Sequence, residues 1–190
     1  MDFVYHIKSV NHSKLEGGVK VNSIDRRELK ELLLKNWMTH DGMWFYHSMQ
    51  EFGIEGTNKV NKAAVRSMGM IEAKRIKKLL GVEKIENFDE LKDFIAKTFE
   101  LVMGDFMKFT YSISDDNVFR SEWEPQQCFA YQGIMRMGMI EKYRCGIYDR
   151  IDAWFDALEL NYTATPDIDK CTMHTMGKCF REYKFDFSVE

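Results

Sequence analysis

Proline is scarce, with two in 190 residues, and no low-complexity tract or internal repeat occurs, which argues against disordered, linker-rich or solenoid architectures. No run of about 18 apolar residues is present, and the opening MDFVYHIKSVNHSKLEGG lacks the cationic and apolar regions of a signal peptide, so neither a membrane partner nor export is expected and the chain is read as cytoplasmic. Neither sign of charge dominates. Lys and Arg number 27 against 30 Asp and Glu, a net charge of −3, with no basic stripe to neutralise phosphates, so nucleic acid is not an expected partner. Cysteine is limited to Cys128, Cys145, Cys171 and Cys179, too few for a stapled secreted scaffold. In a reducing compartment, thiol chemistry or metal ligation is favoured over disulfides.

What the chain does have is enough apolar and aromatic content to bury one core. Residues 1–22 carry only weak strand hints around Gly17 and Gly18 and are assigned to an N-terminal arm. From Ser23 as cap, apolar residues recur at helical spacing to Gly53. A second helical pattern runs from Thr57 to Leu80, stopped by Gly81, and a third from Asn87, with Glu90 in capping-box position, to Met103. At Gly104 the period changes from helical to alternating. Met107, Phe109, Tyr111 and Ile113 mark a strand, Ser114 to Asn117 a turn, and VFRSEWE its hairpin partner. A helix is predicted from Pro125 to Tyr143, closed by Gly146, then another over DRIDAWFDALEL, a short strand LNYTAT and a closing strand EYKFDFSV. The expected fold is α+β: an N-terminal helical layer (23–103) packed on a small antiparallel sheet, with β-β-α-α-β-β order over 104–190, all within a single domain, 23–190.

Three constellations carry candidate chemistry. In CTMHTMGKC, Cys171, His174 and Cys179 stand close enough in sequence to converge on one ion, with Cys145 or Cys128 completing a tetrahedral shell and zinc as the candidate metal; the candidate ligand set taken forward is Cys145, Cys171, His174 and Cys179. The alternative is that Cys179 is a small buried hydrophobe opening the last strand and His174 a solvated loop residue. Cys128, in the first turn of the helix predicted from Pro125, sits at the positive end of its dipole and is the better candidate nucleophile, whereas Cys145 falls at the negative end. Tyr131 and Met135 share the Cys128 face; the competing reading is a buried, inert cysteine.

The third constellation is NWMTHDGMWFYHSMQEFG. His40, Trp44, His47 and Glu51 follow one another at helical intervals of 4, 3 and 4, a stripe that reads as a polar pocket wall, with Gly42 marking close approach. His40, oriented by Asp41, is the candidate acid–base group; the alternative places both histidines at an amphipathic boundary. Of the 13 methionines, Met38, Met43, Met135, Met139, Met173 and Met176 fall near these elements, as cavity lining or as core filler.

The segments NWMTHDGMWFYHSMQEFG, KVNKAAVRSMGMIEAKRIKKLLGV, CFAYQGIMRMGMIEKYRCGIYDRIDAW and PDIDKCTMHTMGKCFREYKFDF, together spanning about residues 28 to 187, resemble a group of bacterial and archaeal cytosolic proteins of unknown function. That group is in turn distantly similar to the aminothiazoline-carboxylate hydrolase family. The resemblance implies a shared cluster of Cys128, Cys145, Cys171 and Cys179 and brings no catalytic assignment with it. The leading expectation is therefore a candidate hydrolase of a C–N or C–S bond in a small molecule, with Cys128, His40 and Asp41 as catalytic residues and Trp44, His47, Glu51, Tyr131 and Met135 lining the substrate pocket. A second version has zinc on Cys145, Cys171, His174 and Cys179 activating water. The alternative is a noncatalytic ligand-binding or sensor domain with the cysteines as a structural zinc cluster. A homodimer is compatible with the aromatic-rich helices, though no residue pattern demands it.

Overall fold

The computed structural model of the chain describes residues 23–114 and 116–188; the expected N-terminal arm and Val189, assigned above to the closing strand, lie outside them. Among the described residues, five α-helices and four strands follow in the order α1 (Arg26–Leu79), α2 (Phe88–Val102), β1 (Phe109–Ser114), β2 (Val118–Trp123), α3 (Phe129–Arg136), α4 (Ile147–Ala157), β3 (Asn161–Thr165), α5 (Thr172–Met176) and β4 (Cys179–Asp186). The strands form one antiparallel sheet ordered β1-β2-β4-β3. The α+β class holds, and α5 is an element that the sequence pattern missed.

The two predicted N-terminal helices are one kinked element. Gly53 adopts φ 72°, ψ 167° inside α1, a combination open essentially only to glycine, and it re-aims the helix rather than ending it. The Thr57 hydroxyl, one turn later, donates to the Gly53 carbonyl (2.8 Å). The N-cap is Asp25, whose carboxylate accepts from the N–H groups of Arg27 and Glu28, and not the predicted Ser23. The cap of α2 is as expected: Asn87 Oδ1 accepts from Glu90 N (3.0 Å), while Glu90 reaches back to accept from Asn87 Nδ2 (2.9 Å) and Glu86 N (2.8 Å).

The hairpin register pairs Phe109 with Trp123 and Ser114 with Val118, and β2 alternates, with Phe119, Ser121 and Trp123 buried. Helices α2 and α4 cover that face. Phe99 of α2 lies with its ring centroid 4.9 Å from Phe109, 5.8 Å from Phe119 and 5.7 Å from Trp154. Phe155 of α4 lies 4.9 Å from both Tyr183 and Phe185 of β4. Each of these large rings, when fully buried, stabilises the fold by about 1.5–3 kcal/mol. Asp152 ties α4 to β4 by accepting from Tyr183 Oη (2.8 Å) and Arg181 Nη1 (3.0 Å).

The outer layer is the second half of α1, which lies against α4. A Cβ on Gly69 would stand 2.6 Å from the Arg150 carbonyl oxygen, so glycine permits the close approach of the two backbones. Beside it, the Glu72 carboxylate accepts from Arg150 Nε (2.8 Å) and Nη2 (2.7 Å) and from Trp154 Nε1 (2.8 Å), a bidentate, largely buried clamp. Among the described residues no helix is long and apolar enough to cross a membrane.

Candidate functional site

Two features could carry chemistry: an apolar cleft and, directly behind its wall, the four cysteines. The cleft has a volume of about 680 Å³ and lies between the two halves of α1, α2, α3, α4 and the end of the sheet near Phe109 and Trp123. Its walls are formed by aromatic rings and by six methionines, Met38, Met43, Met68, Met103, Met107 and Met137. Polar side chains also enter the lining: Lys35, Asp41 and His47 from the first half of α1, Asn61 from its second half, Arg136 from α3 and Arg150 from α4. Arg150 is held by Glu72, with its guanidinium 5.1 Å from the Trp37 ring centroid and 5.2 Å from that of Trp154, and so joins the first half of α1 to α4.

Sequence reasoning placed the site only in part. Of the predicted stripe, His47 lines the cleft, as does Asp41; His40, Trp44 and Glu51 are exposed outside its lining, with Trp44 63% exposed. His40 Nδ1 sits 3.5 Å from Asp41 Oδ1, with the ring edge-on to Trp44 at 6.4 Å, a local surface arrangement. Tyr131 is half-buried and Met135 exposed, and neither lines the cleft. Of the singled-out methionines, Met38 and Met43 do line it; Met173 is buried core, Met139 half-buried, and Met176 exposed. Missed altogether were Met68, Met103, Phe106 and Phe129, whose only sequence signal was membership of separate amphipathic patterns that tertiary folding brings together.

The cysteines are all buried and free, and four distinct segments deliver them. Cys179 opens β4, opposite Trp123 in the register. Cys128 is the N-cap of α3: the helix begins four residues later than Pro125 suggested and ends at Arg136, not Tyr143. Cys145 is consequently not at the negative end of that helix. It precedes Gly146, the N-cap of α4, so both thiols lie at the N-terminal side of a helix and the predicted contrast between them disappears. Cys171 is the N-cap of α5. An antiparallel bridge between Arg144 and Lys170, with Cys145 N donating to the Asp169 carbonyl (3.0 Å), lays the segments carrying Cys145 and Cys171 side by side. Gln126 N donates to the Met173 sulfur (3.2 Å), joining the loop before Cys128 to α5. Asn58 of α1 secures the same region, donating to the Lys142 carbonyl (2.8 Å) and accepting from Arg144 N (3.1 Å).

Burial pushes the Cys128 thiol up to about 12, Cys179 and Cys171 adding to the effect, while N–H groups of Tyr131 and Ala130 pull the other way. Burial also raises Cys145, Cys171 and Cys179. These are neutral thiols when nothing is bound to them, which is unlike an activated nucleophile. The predicted ligand His174 faces elsewhere, with its Nε2 2.9 Å from Glu141 Oε1. Among the described residues, no three or more His, Cys, Asp or Glu side chains are grouped to hold a metal ion.

The model of a family of unknown function (DUF6125) matches residues 22–116, the segment from α1 through β1 and its turn, which ends before the first cysteine. No curated protein and no solved structure matches the chain.

Proposed function

The chain belongs to this family of unknown function, and we propose, from the chemistry of its own site, that it is a noncatalytic binding module for a small, largely apolar molecule. The observation that carries the reading is the 680 Å³ cleft walled by methionine and aromatic side chains, a size and character suited to a drug-sized ligand. Unbranched thioethers adapt to irregular ligand shapes at little cost. The ligand's orientation would come from the few polar groups at the wall, Asp41, His47, Asn61 and Arg136. Trp123, also on the wall, has a buried indole N–H with no partner among the described residues, so a ligand acceptor reaching it would relieve a desolvation cost of about 1–3 kcal/mol.

Binding is favoured over hydrolysis because, of the groups proposed for catalysis, only Asp41 lines the cleft. Cys128 is buried and lies outside the cleft lining, with its thiol held neutral, while His40 is on the exposed face of α1. A reducing, cytoplasmic setting, in which four thiols stay free of disulfides, accords with this reading.

Gly133 supplies the test. It lines the cleft from α3, and a Cβ there would meet nothing within 4 Å, so Gly133→Leu fills space without a clash. Titration with anilinonaphthalene sulfonate, followed by dye emission and by quenching of the cleft residues Trp37, Trp123 and Trp154, should show saturable binding in the parent chain. The substitution should weaken it by roughly tenfold or more, the effect of about 1.4 kcal/mol. Binding that is absent, or unchanged by Gly133→Leu, would remove the proposal.

A further inference from the structure

One face of the first half of α1 has no cover among the described residues, and its composition is not that of a solvated surface. Leu29, Leu32, Leu33, Met43 and Trp44 are all exposed on it. At about 3.6 residues per turn they share one band, about 120° wide, with Arg26, Asn36, His40, His47 and Glu51, and every member of the band is exposed. The stripe expected to wall a pocket therefore points outward, and only Met43 and His47 at its edge reach the cleft. The same half of the helix already has an apolar face turned inward, where Phe45 meets Tyr143 (5.6 Å between ring centroids) and Trp37 lies under Arg150. Single exposed apolar residues are ordinary, as Val60, Ile71 and Leu79 are in the second half. A contiguous stripe with a second apolar face behind it marks an interface.

We infer that this stripe is the contact between two copies of the chain, paired antiparallel about a two-fold axis at the level of Met38. The occupant follows from the order of residues along the stripe. Its apolar residues form two groups, Leu29 to Leu33 and Met43 with Trp44, on either side of Asn36 and His40, and its ends are a cation, Arg26, and an anion, Glu51. Both end charges are exposed and make no ion pair among the described residues. An antiparallel two-fold sets Leu32 against the partner's Trp44, Leu33 against the partner's Met43, and Arg26 against the partner's Glu51. By symmetry each contact is made twice.

A parallel pair would instead bring Arg26 to the partner's Arg26 and Glu51 to the partner's Glu51, like charge to like, with the helix dipoles aligned. The wider charge distribution has the same sense. Arg26, Arg27, Lys30 and Lys35 outnumber Glu28 and Glu31 before the axis, whereas Asp41 and Glu51 are the fixed charges between it and the kink at Gly53. Asn36 and His40 flank the axis, where polar groups within an apolar seam set its register and add little to affinity. Tryptophan and methionine are enriched at such contacts. This pairing goes beyond the cleft reading and does not rest on it.

Sedimentation equilibrium of the full chain over a wide concentration range tests the pairing. The expected species has twice the 22.5 kDa chain mass, in reversible equilibrium with the monomer. Leu33 is 59% exposed, so Leu33→Asp leaves the fold of each chain intact, as circular dichroism checks. It should weaken the dimer by roughly a hundredfold, a loss counted twice per dimer. Arg26→Glu should weaken it by about tenfold, and Arg26→Glu combined with Glu51→Arg should recover the parent affinity to within about threefold. A chain that is monomeric throughout leaves the stripe to another occupant, residues 1–22 or a different protein, and overturns the inference. A dimer indifferent to Leu33→Asp, or a double reversal that recovers nothing, overturns it equally. Dye binding is read on the same samples: binding absent from an intact dimer removes the cleft reading alone, and binding retained by a monomeric parent chain removes the pairing alone.

Discussion

The two halves of α1 have the same helical backbone and opposite circumstances. After Gly53, the helix lies against α4: Gly69 meets the Arg150 backbone, Glu72 holds Arg150 and Trp154, Ala73 and Ile76 are buried, and Asn58 secures the segment leading to Cys145. Before Gly53, only Phe45 is buried, and this half forms one side of the cleft with Trp44 and Phe52 exposed, the latter by 70%. Yet the earlier half carries the histidines that looked like catalytic machinery, and the later half looked like ordinary packing. Residue type therefore ranks poorly against environment. A histidine in water is a solvated base, while a carboxylate shut between a guanidinium and an indole determines how two helices meet.

The comparison breaks most sharply at Glu72. Glu72→Ala leaves the Arg150 guanidinium and the Trp154 N–H without their partner in a largely buried site, and should cost about 3–5 kcal/mol, read as a lower urea midpoint and a wider cleft. A loss under about 1 kcal/mol would mean that the two halves are held alike. A smaller effect is expected from pH, on the cysteine side of the molecule. Burial raises Cys128 from 9.0 to about 12, so the folded chain keeps a proton that the unfolded chain releases. Its contribution is complete below pH 9 and declines as pH climbs towards 12, by about 1.4 kcal/mol per unit. Urea midpoints should thus fall over that window, and Cys128→Ala should flatten the slope; an unchanged slope would show the thiol to be solvated. Least of all should change at the exposed stripe. His40→Ala is expected to shift stability by less than about 0.5 kcal/mol and to leave dye binding intact, and a tenfold loss of binding would bring His40 itself back into the site.

Much of the fold was legible because local signals agreed with it. The Asn87–Glu90 cap, the period change after Gly104, the hairpin around Ser114 to Asn117 and the alternation through Tyr183 and Phe185 each rest on interactions a few residues long. The misses have equally specific causes. Gly53 was read as a stop because glycine commonly ends helices, but here the chain resumes its helix after one unusual residue. Pro125 was taken as a helix start, yet the chain spends Gln126 and Gln127 in a turn, with Gln126 at φ 62°, before Cys128 caps α3. That shift changed the electrostatic reading of Cys145. His174 matched a ligand spacing, but its partner is Glu141, 33 residues away in sequence.

Composition and short-range pattern were enough to establish the α+β class and most element positions, since propensity, capping and alternation act within a turn or a strand. Which helix face is buried, where the cleft opens and which thiols become neighbours were decided only when α4 docked on α1 and the Arg144–Lys170 bridge aligned two distant segments. Burial and proximity are properties of surfaces brought together across the chain, and no local spacing encodes them.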